Sequence, residues 1–110
     1  RRWIRSDAAK MGALTGREIG SAADDILQGA TFHRQSKATQ YLKQGGFGQA
    51  NLDFDAMAPG VTVVDRGGGL RTATLSNGSK INVRPFSSSK YATLEIDTPG
   101  NPLLKIRYDW

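Results

Sequence analysis

From Val61 onward the apolar residues of this chain recur at every second position, in short runs broken by clusters of glycine, asparagine, serine and proline. A period of two places successive side chains on opposite faces of a strand, and such clusters supply the backbone conformations that tight reversals need. Five strands are therefore expected: Val61–Asp65, Leu70–Leu75, Lys80–Arg84, Tyr91–Ile96 and Leu103–Tyr108. Gly67-Gly68-Gly69, Asn77-Gly78, Ser87-Ser88-Ser89 and Pro99-Gly100-Asn101 separate them and read as hairpin turns. This half of the chain is expected to be an antiparallel meander.

The first half reads differently. Thr15 and Glu18 have the spacing of a capping box, and Ile19, Ala22, Ala23, Ile26 and Leu27 follow at helical intervals up to a stop at Gly29. An earlier helix is expected over Arg2–Leu14, and a third from Ser36 as N-cap through Leu42 to the Gly45-Gly46 break. Residues 45–60 read as a long loop packed down by its own Phe47, Leu52, Phe54 and Met57. The expected fold class is α+β, with N-terminal helices (about 2–44) packed on one face of a four- to five-stranded antiparallel meander sheet (about 61–108).

A chain of 110 residues suffices for one hydrophobic core, so a single domain spanning 1–110 is expected. No apolar run approaches the roughly 20 residues that a transmembrane helix needs, and no stable membrane insertion is expected. The opening Arg1-Arg2-Trp3-Ile4-Arg5 does not lead into an apolar stretch and does not read as a signal peptide. The chain starts at Arg1, and it is expected to be the C-terminal fragment of a longer protein. It has no cysteine, which excludes disulfides, thiolate metal sites and a cysteine nucleophile. With one histidine besides, no zinc spacing exists; Asp53 and Asp55 lack the EF-hand pattern, and Gly67-Gly68-Gly69 lacks the ending of a phosphate-cradling loop. No metal or cofactor is expected.

Fifteen Lys and Arg against ten Asp and Glu give a net charge of +5. The excess is distributed: eight basic and six acidic groups in residues 1–59, seven and four in residues 60–110. A folded basic domain favours nucleic acid or another polyanion as partner.

Turn chemistry sets the expected register, and the register decides which residues meet. A two-residue Asn77-Gly78 turn sets Thr74 opposite Ile81, Thr72 opposite Val83, Ala73 opposite Asn82 and Arg71 opposite Arg84. For the last hairpin, a three-residue Pro99-Gly100-Asn101 loop pairs Leu94 with Ile106, Ile96 with Leu104, Glu95 with Lys105 and Thr93 with Arg107. One face is then apolar and needs cover from the helices. The other carries Arg71, Lys80, Asn82, Arg84, Tyr91, Thr93, Glu95, Lys105 and Arg107. Such a face is ordinarily what a sheet shows to water. The expected Arg71–Arg84 pair adds a reason to look further, because like charges directly opposite repel and a bound phosphate converts the repulsion into a clamp.

RNA can be cut without metal, because its 2′-OH attacks the adjacent phosphate and leaves a 2′,3′-cyclic phosphate. The protein has to take one proton, give another, and place cations around the phosphorus. His33 is the single histidine, a residue type that suits either proton role, with Arg34 and Lys37 beside it. Tyr91, Thr93 and Glu95 can add a proton donor or a hydrogen bond, and Arg84 and Arg107 are the expected transition-state stabilisers. Glu95 is expected to pair with Lys105 or Lys80. The expected RNA contacts are Arg34, Lys37, Arg71, Lys80, Asn82 and Lys105.

The order of helices and then sheet, with Ile81-Asn82-Val83-Arg84-Pro85-Phe86-Ser87-Ser88, Tyr91-Ala92-Thr93-Leu94-Glu95-Ile96 and Lys105-Ile106-Arg107-Tyr108 as its carriers, resembles the barnase–colicin–RelE-like group of bacterial ribonucleases. Within that group it is most similar to the C-terminal toxin domains of contact-dependent inhibition and other polymorphic toxin proteins. The domain is expected to be monomeric when alone, and the resemblance implies cleavage of RNA, often transfer RNA. It also implies a cognate immunity protein, expected to be acidic, and secretion or surface display followed by action in the cytoplasm of a target cell. It matches a helix-side His33 and sheet-side Arg84, Tyr91, Thr93 and Arg107 to the group's site.

Two other classes fit the same composition. A non-catalytic nucleic-acid-binding module would use the same basic face, though base-stacking sheets display several aromatics where this face has Tyr91. A protein-interaction domain would present its charges to an acidic partner.

Overall fold

Thr15 and Glu18 form the expected capping box: Thr15 Oγ1 accepts from the Glu18 amide, and Glu18 Oε1 from the Thr15 amide. They open helix α1, Gly16–Gln28, which buries Ile19 and Ile26 and stops at Gly29. The computed structural model describes residues 12–86 and 90–110. The helix expected over Arg2–Leu14 lies outside the described residues except for residues 12–14, which are not helical, and the Ser87–Ser89 turn also lies outside them.

The chain then departs from expectation. Ala30–Gln35 is strand β1, and Ala38–Gln44, expected as the third helix, is strand β2. Its alternation is real: Thr39, Tyr41 and Lys43 face the helices, while Ala38, Gln40 and Leu42 face away. A lysine on the covered side disguises the period. The expected loop is helix α2, Gly46–Met57, entered from Gly45 at φ 110° with no side-chain cap. Ala50, Phe54 and Met57 are buried at helical spacing, and the buried charge of Asp53 interrupts that pattern in the sequence.

The second half forms β3 (Val63–Gly67), β4 (Leu70–Thr74), β5 (Lys80–Arg84), β6 (Ala92–Asp97) and β7 (Leu103–Asp109), close to the expected bounds. Among the described residues the sheet therefore has seven strands rather than four or five, in the order β1-β2-β7-β6-β5-β4-β3. It is mixed rather than purely antiparallel, because β2 runs parallel to β7. After β2 the chain crosses through α2 to the far edge, then meanders back until β7 docks beside β2.

Both helices lie on one face. α2 packs over β5, β6 and β7, and α1 packs on α2 and β1. Phe54, Ile81, Val83, Leu94, Ile106 and Tyr108 are almost wholly buried between the layers, each side chain worth about 1.5–3 kcal/mol of hydrophobic stabilisation. Inside this layer Asp53 accepts from Lys43 Nζ (2.9 Å), Gln49 Nε2 (2.9 Å) and the Tyr108 hydroxyl (2.7 Å), and Lys43 Nζ also donates to Ile26 O. Burial and the Asp53 carboxylate push the Tyr108 phenol far above its ordinary range. The network joins both helices to β2 and β7.

The last hairpin has the expected register, with Leu94 opposite Ile106, Glu95 opposite Lys105 and Thr93 opposite Arg107. The β4–β5 hairpin does not. Leu75 N donates to Ser79 O and Gly78 N to Leu75 O, closing a three-residue Ser76-Asn77-Gly78 loop with Gly78 at φ 86°. The pairs are Arg71–Val83, Thr72–Asn82, Ala73–Ile81 and Thr74–Lys80. One residue of slip turns β4 over. Thr72 and Thr74, expected in the core, face away from the helices, and Arg71 faces them.

Candidate nucleic-acid face

Arg71 is consequently removed from the face where it was expected. Its guanidinium donates to Asn51 Oδ1 (2.5 and 3.1 Å) and to Asp55 Oδ1 (2.9 Å) on α2, and its central carbon sits 4.5 Å from the centroid of the Phe54 ring. The Arg71–Arg84 clamp does not exist. Arg71 secures α2 to β4.

Directly opposite residues share a face, so the pairings order the uncovered side of the sheet into rows. One row runs Arg84, Thr93, Arg107, Leu42 across β5, β6, β7 and β2. The next runs Thr72, Asn82, Glu95, Lys105, Gln40, Arg34 from β4 to β1. Two arginines do stand near each other on this face, but they are Arg84 and Arg107, two strand spacings or about 10 Å apart along the sheet.

Several contacts fix these groups. Arg107 Nε donates to Gln40 Oε1 at 3.1 Å. Arg84 Nη2 pairs with Glu95 Oε2, and Lys105 Nζ lies 3.9 Å from the same oxygen. Of the partners expected for Glu95, Lys105 is near and Lys80 registers instead with Asp97. Arg84 Nε and Asn82 Oδ1 are buried without a hydrogen-bond partner among the described residues. An unpaired buried donor costs about 1–3 kcal/mol, so an anion that reached Arg84 Nε would relieve a penalty as well as add attraction. Thr93 between the arginines is wholly buried, and its hydroxyl donates to Tyr91 O at 3.0 Å. That bond holds the backbone that presents Tyr91.

His33 reaches this face because β1 is irregular. Phe32 pairs with Tyr41 but Arg34 pairs with Gln40, so His33 is the extra residue of a bulge. Phe32 turns to the helix side and meets Tyr41 edge to face. His33, Arg34, Gln40, Leu42, Tyr91 and Arg107 together line a cleft of about 340 Å³. Three of the five residues expected to carry chemistry thus meet in one cleft, Arg84 and Thr93 continue its row, and Lys80, Asn82 and Lys105 lie on the same face. Lys37 is exposed in the β1–β2 turn, outside the cleft lining.

Gln40 was missed from the sequence, since it joins this face only if residues 38–44 are a strand. Glu95 lies near Lys105 as expected, and its pairing with Arg84 is the contact that the sequence does not announce. Among the described residues no three His, Cys, Asp or Glu side chains cluster, and no helix is long and apolar enough to cross a membrane. Comparison with family models, curated proteins and solved structures finds no match to the chain.

Proposed function

We propose that this domain is a metal-independent endoribonuclease that acts from the uncovered face of its sheet, cutting RNA, with transfer RNA as the expected substrate, by attack of the 2′-OH on the adjacent phosphate. The observation that carries the reading is the cleft in which the chain's single histidine, Tyr91 and Arg107 converge, next to the Arg84–Thr93–Arg107 row. His33 and Tyr91 are the groups there that can move a proton. Arg107, steadied by Gln40, and Arg84, steadied by Glu95, provide guanidinium donors for the equatorial oxygens as charge builds on phosphorus. Thr93 acts as a positioning residue through the Tyr91 carbonyl. Arg34 and Lys105 line the approach and attract the backbone.

The biological setting belongs to the same proposal: a toxin domain carried by a larger secreted or surface protein, acting in the cytoplasm of a neighbouring cell and blocked by an acidic immunity protein. A basic catalytic face is what an acidic inhibitor would cover.

Incubation with total transfer RNA in EDTA tests the reading. The expected result is discrete fragments ending in 2′,3′-cyclic phosphate, lost in His33→Ala and Arg107→Ala. Retention of RNA without cutting would favour the non-catalytic binding module, and neither retention nor cutting would favour a protein-interaction domain.

A further inference from the structure

The far end of the uncovered face holds a second cleft, about 780 Å³, between β3, β4 and β5. Thr62, Arg66, Thr72, Thr74, Lys80 and Asn82 supply its polar lining. Arg66 is the bulge residue of β3, as His33 is of β1, and its Nε lies 3.4 Å from Thr72 Oγ1. Thr74 registers with Lys80 and Thr72 with Asn82, so each of these hydroxyls stands opposite a polar side chain, one cationic and one an amide.

The cations of this cleft lack a close carboxylate. Lys43, Arg71, Arg84 and Lys105 each lie within 4 Å of a carboxylate oxygen. Arg66 and Lys80 have no such partner among the described residues, and the cleft lining contains no Asp or Glu. Lys80 has Asp97 opposite it on β6 but no carboxylate oxygen within 4 Å, so two cations without a close ion pair stand beside threonine hydroxyls and match a phosphodiester: the cations meet its charge and the hydroxyls its oxygens. The cleft opens on the same side as the His33–Arg107 cleft, and their centres, near β4 and β2, are four strand spacings or about 19 Å apart. At a stacked rise of about 3.4 Å per nucleotide, a single strand of roughly six nucleotides joins them.

We infer that the Arg66–Lys80 cleft is a second phosphate subsite, which holds the substrate RNA strand about six nucleotides away from the scissile bond. The inference rests on the ribonuclease reading for which end is cut, but the subsite itself is measurable without cleavage.

The test uses a 2′-O-methyl RNA 12-mer, which lacks the attacking hydroxyl, with affinity measured from 50 to 200 mM NaCl. Each phosphate neutralised on a single strand contributes about 0.7 to the slope of log affinity against log salt. Arg66→Ala/Lys80→Ala is expected to weaken binding at 50 mM salt and to flatten the slope by about 1.4. Across that salt range the variant then loses about seven-fold less affinity than the wild type does. Both side chains are exposed, so the substitution spares the core. Arg17→Ala, on the exposed surface of α1, removes a positive charge from the helix side and is expected to leave the slope as it was. A double-variant slope equal to wild type, with wild-type binding intact, overturns the subsite and leaves the cleavage reading standing. Wild type that binds the 12-mer with the expected slope change, yet cuts no unmodified RNA, supports the subsite and overturns the ribonuclease. Absence of wild-type binding overturns the subsite.

Discussion

Arg84 and Arg107 are each registered against Thr93 from opposite sides, Arg84 on β5 and Arg107 on β7, with all three side chains on the sheet face that the helices leave uncovered. Glu95 holds the first guanidinium and Gln40 the second. Two forks about 10 Å apart at the backbone, on long side chains, can close on one phosphate.

Replacing either arginine by alanine is therefore expected to lower kcat/KM for RNA cleavage by about 10²–10³, the range for loss of one transition-state donor. Arg107→Lys is expected to restore little, because an ammonium does not reproduce the two parallel donors. Steady-state kinetics on a defined RNA, with circular dichroism to confirm folding, checks both.

His33→Ala is expected to reduce cleavage by about 10²–10⁴, the range for a positioned proton carrier. Affinity for a 2′-O-methyl oligonucleotide should change only a few-fold. A large loss of affinity with unchanged single-turnover rate would make His33 a binding residue.

Arg71→Ala separates the observed register from the one that the turn sequence suggests. With Arg71 on the helix side, its loss is expected to lower stability by about 1–2 kcal/mol, since the ion pair to the exposed Asp55 adds little to the Phe54 and Asn51 contacts. RNA affinity should stay as it was. Urea unfolding and an oligonucleotide titration read the two effects.

The register of β6 against β7 was legible because its alternative sets Leu94 against Lys105, an arrangement that neither face can accommodate. At β4 nothing comparable spoke. Thr72, Ala73 and Thr74 are small enough for either side, and the residues that draw Arg71 to the helices, Asn51, Phe54 and Asp55, lie 16 to 20 positions away in the chain. Asn77-Gly78 suggests a two-residue turn, and Gly78 serves a three-residue loop equally well. The same kind of partner hid β2 and α2. Lys43 and Asp53 are charges on covered faces, and each makes sense only with the other. The uncovered face was legible in composition, since its Arg, Lys, Tyr and Thr positions on β5, β6 and β7 alternate cleanly. Its extension to Gln40 and Arg66 was not, because strand β2 and the β3 bulge carry no local signal.

The buried Lys43–Asp53–Tyr108 network makes its own predictions. Asp53→Ala leaves Lys43 without its carboxylate and is expected to cost about 3–5 kcal/mol in urea unfolding. The Tyr108 phenol is raised by burial, with the Asp53 carboxylate adding to it, so the folded protein keeps a proton that the unfolded chain loses above pH 10.0. Stability from this group is complete below that pH and falls as pH rises past it, by at most about 1.4 kcal/mol per pH unit. Tyr108→Phe removes the dependence. The stability advantage of wild type over this variant should therefore shrink by about 1.4 kcal/mol between pH 8 and pH 11.

The most direct test of the proposed phosphate-holding face is an NMR titration of the labelled domain with a 2′-O-methyl RNA oligonucleotide. Backbone and guanidinium Nε resonances of Arg84, Thr93 and Arg107 are expected to shift together and to saturate with one affinity, while Arg71 and the α2 amides stay in place. Shifts confined to Arg71 and α2, or none at saturating RNA, would contradict the account.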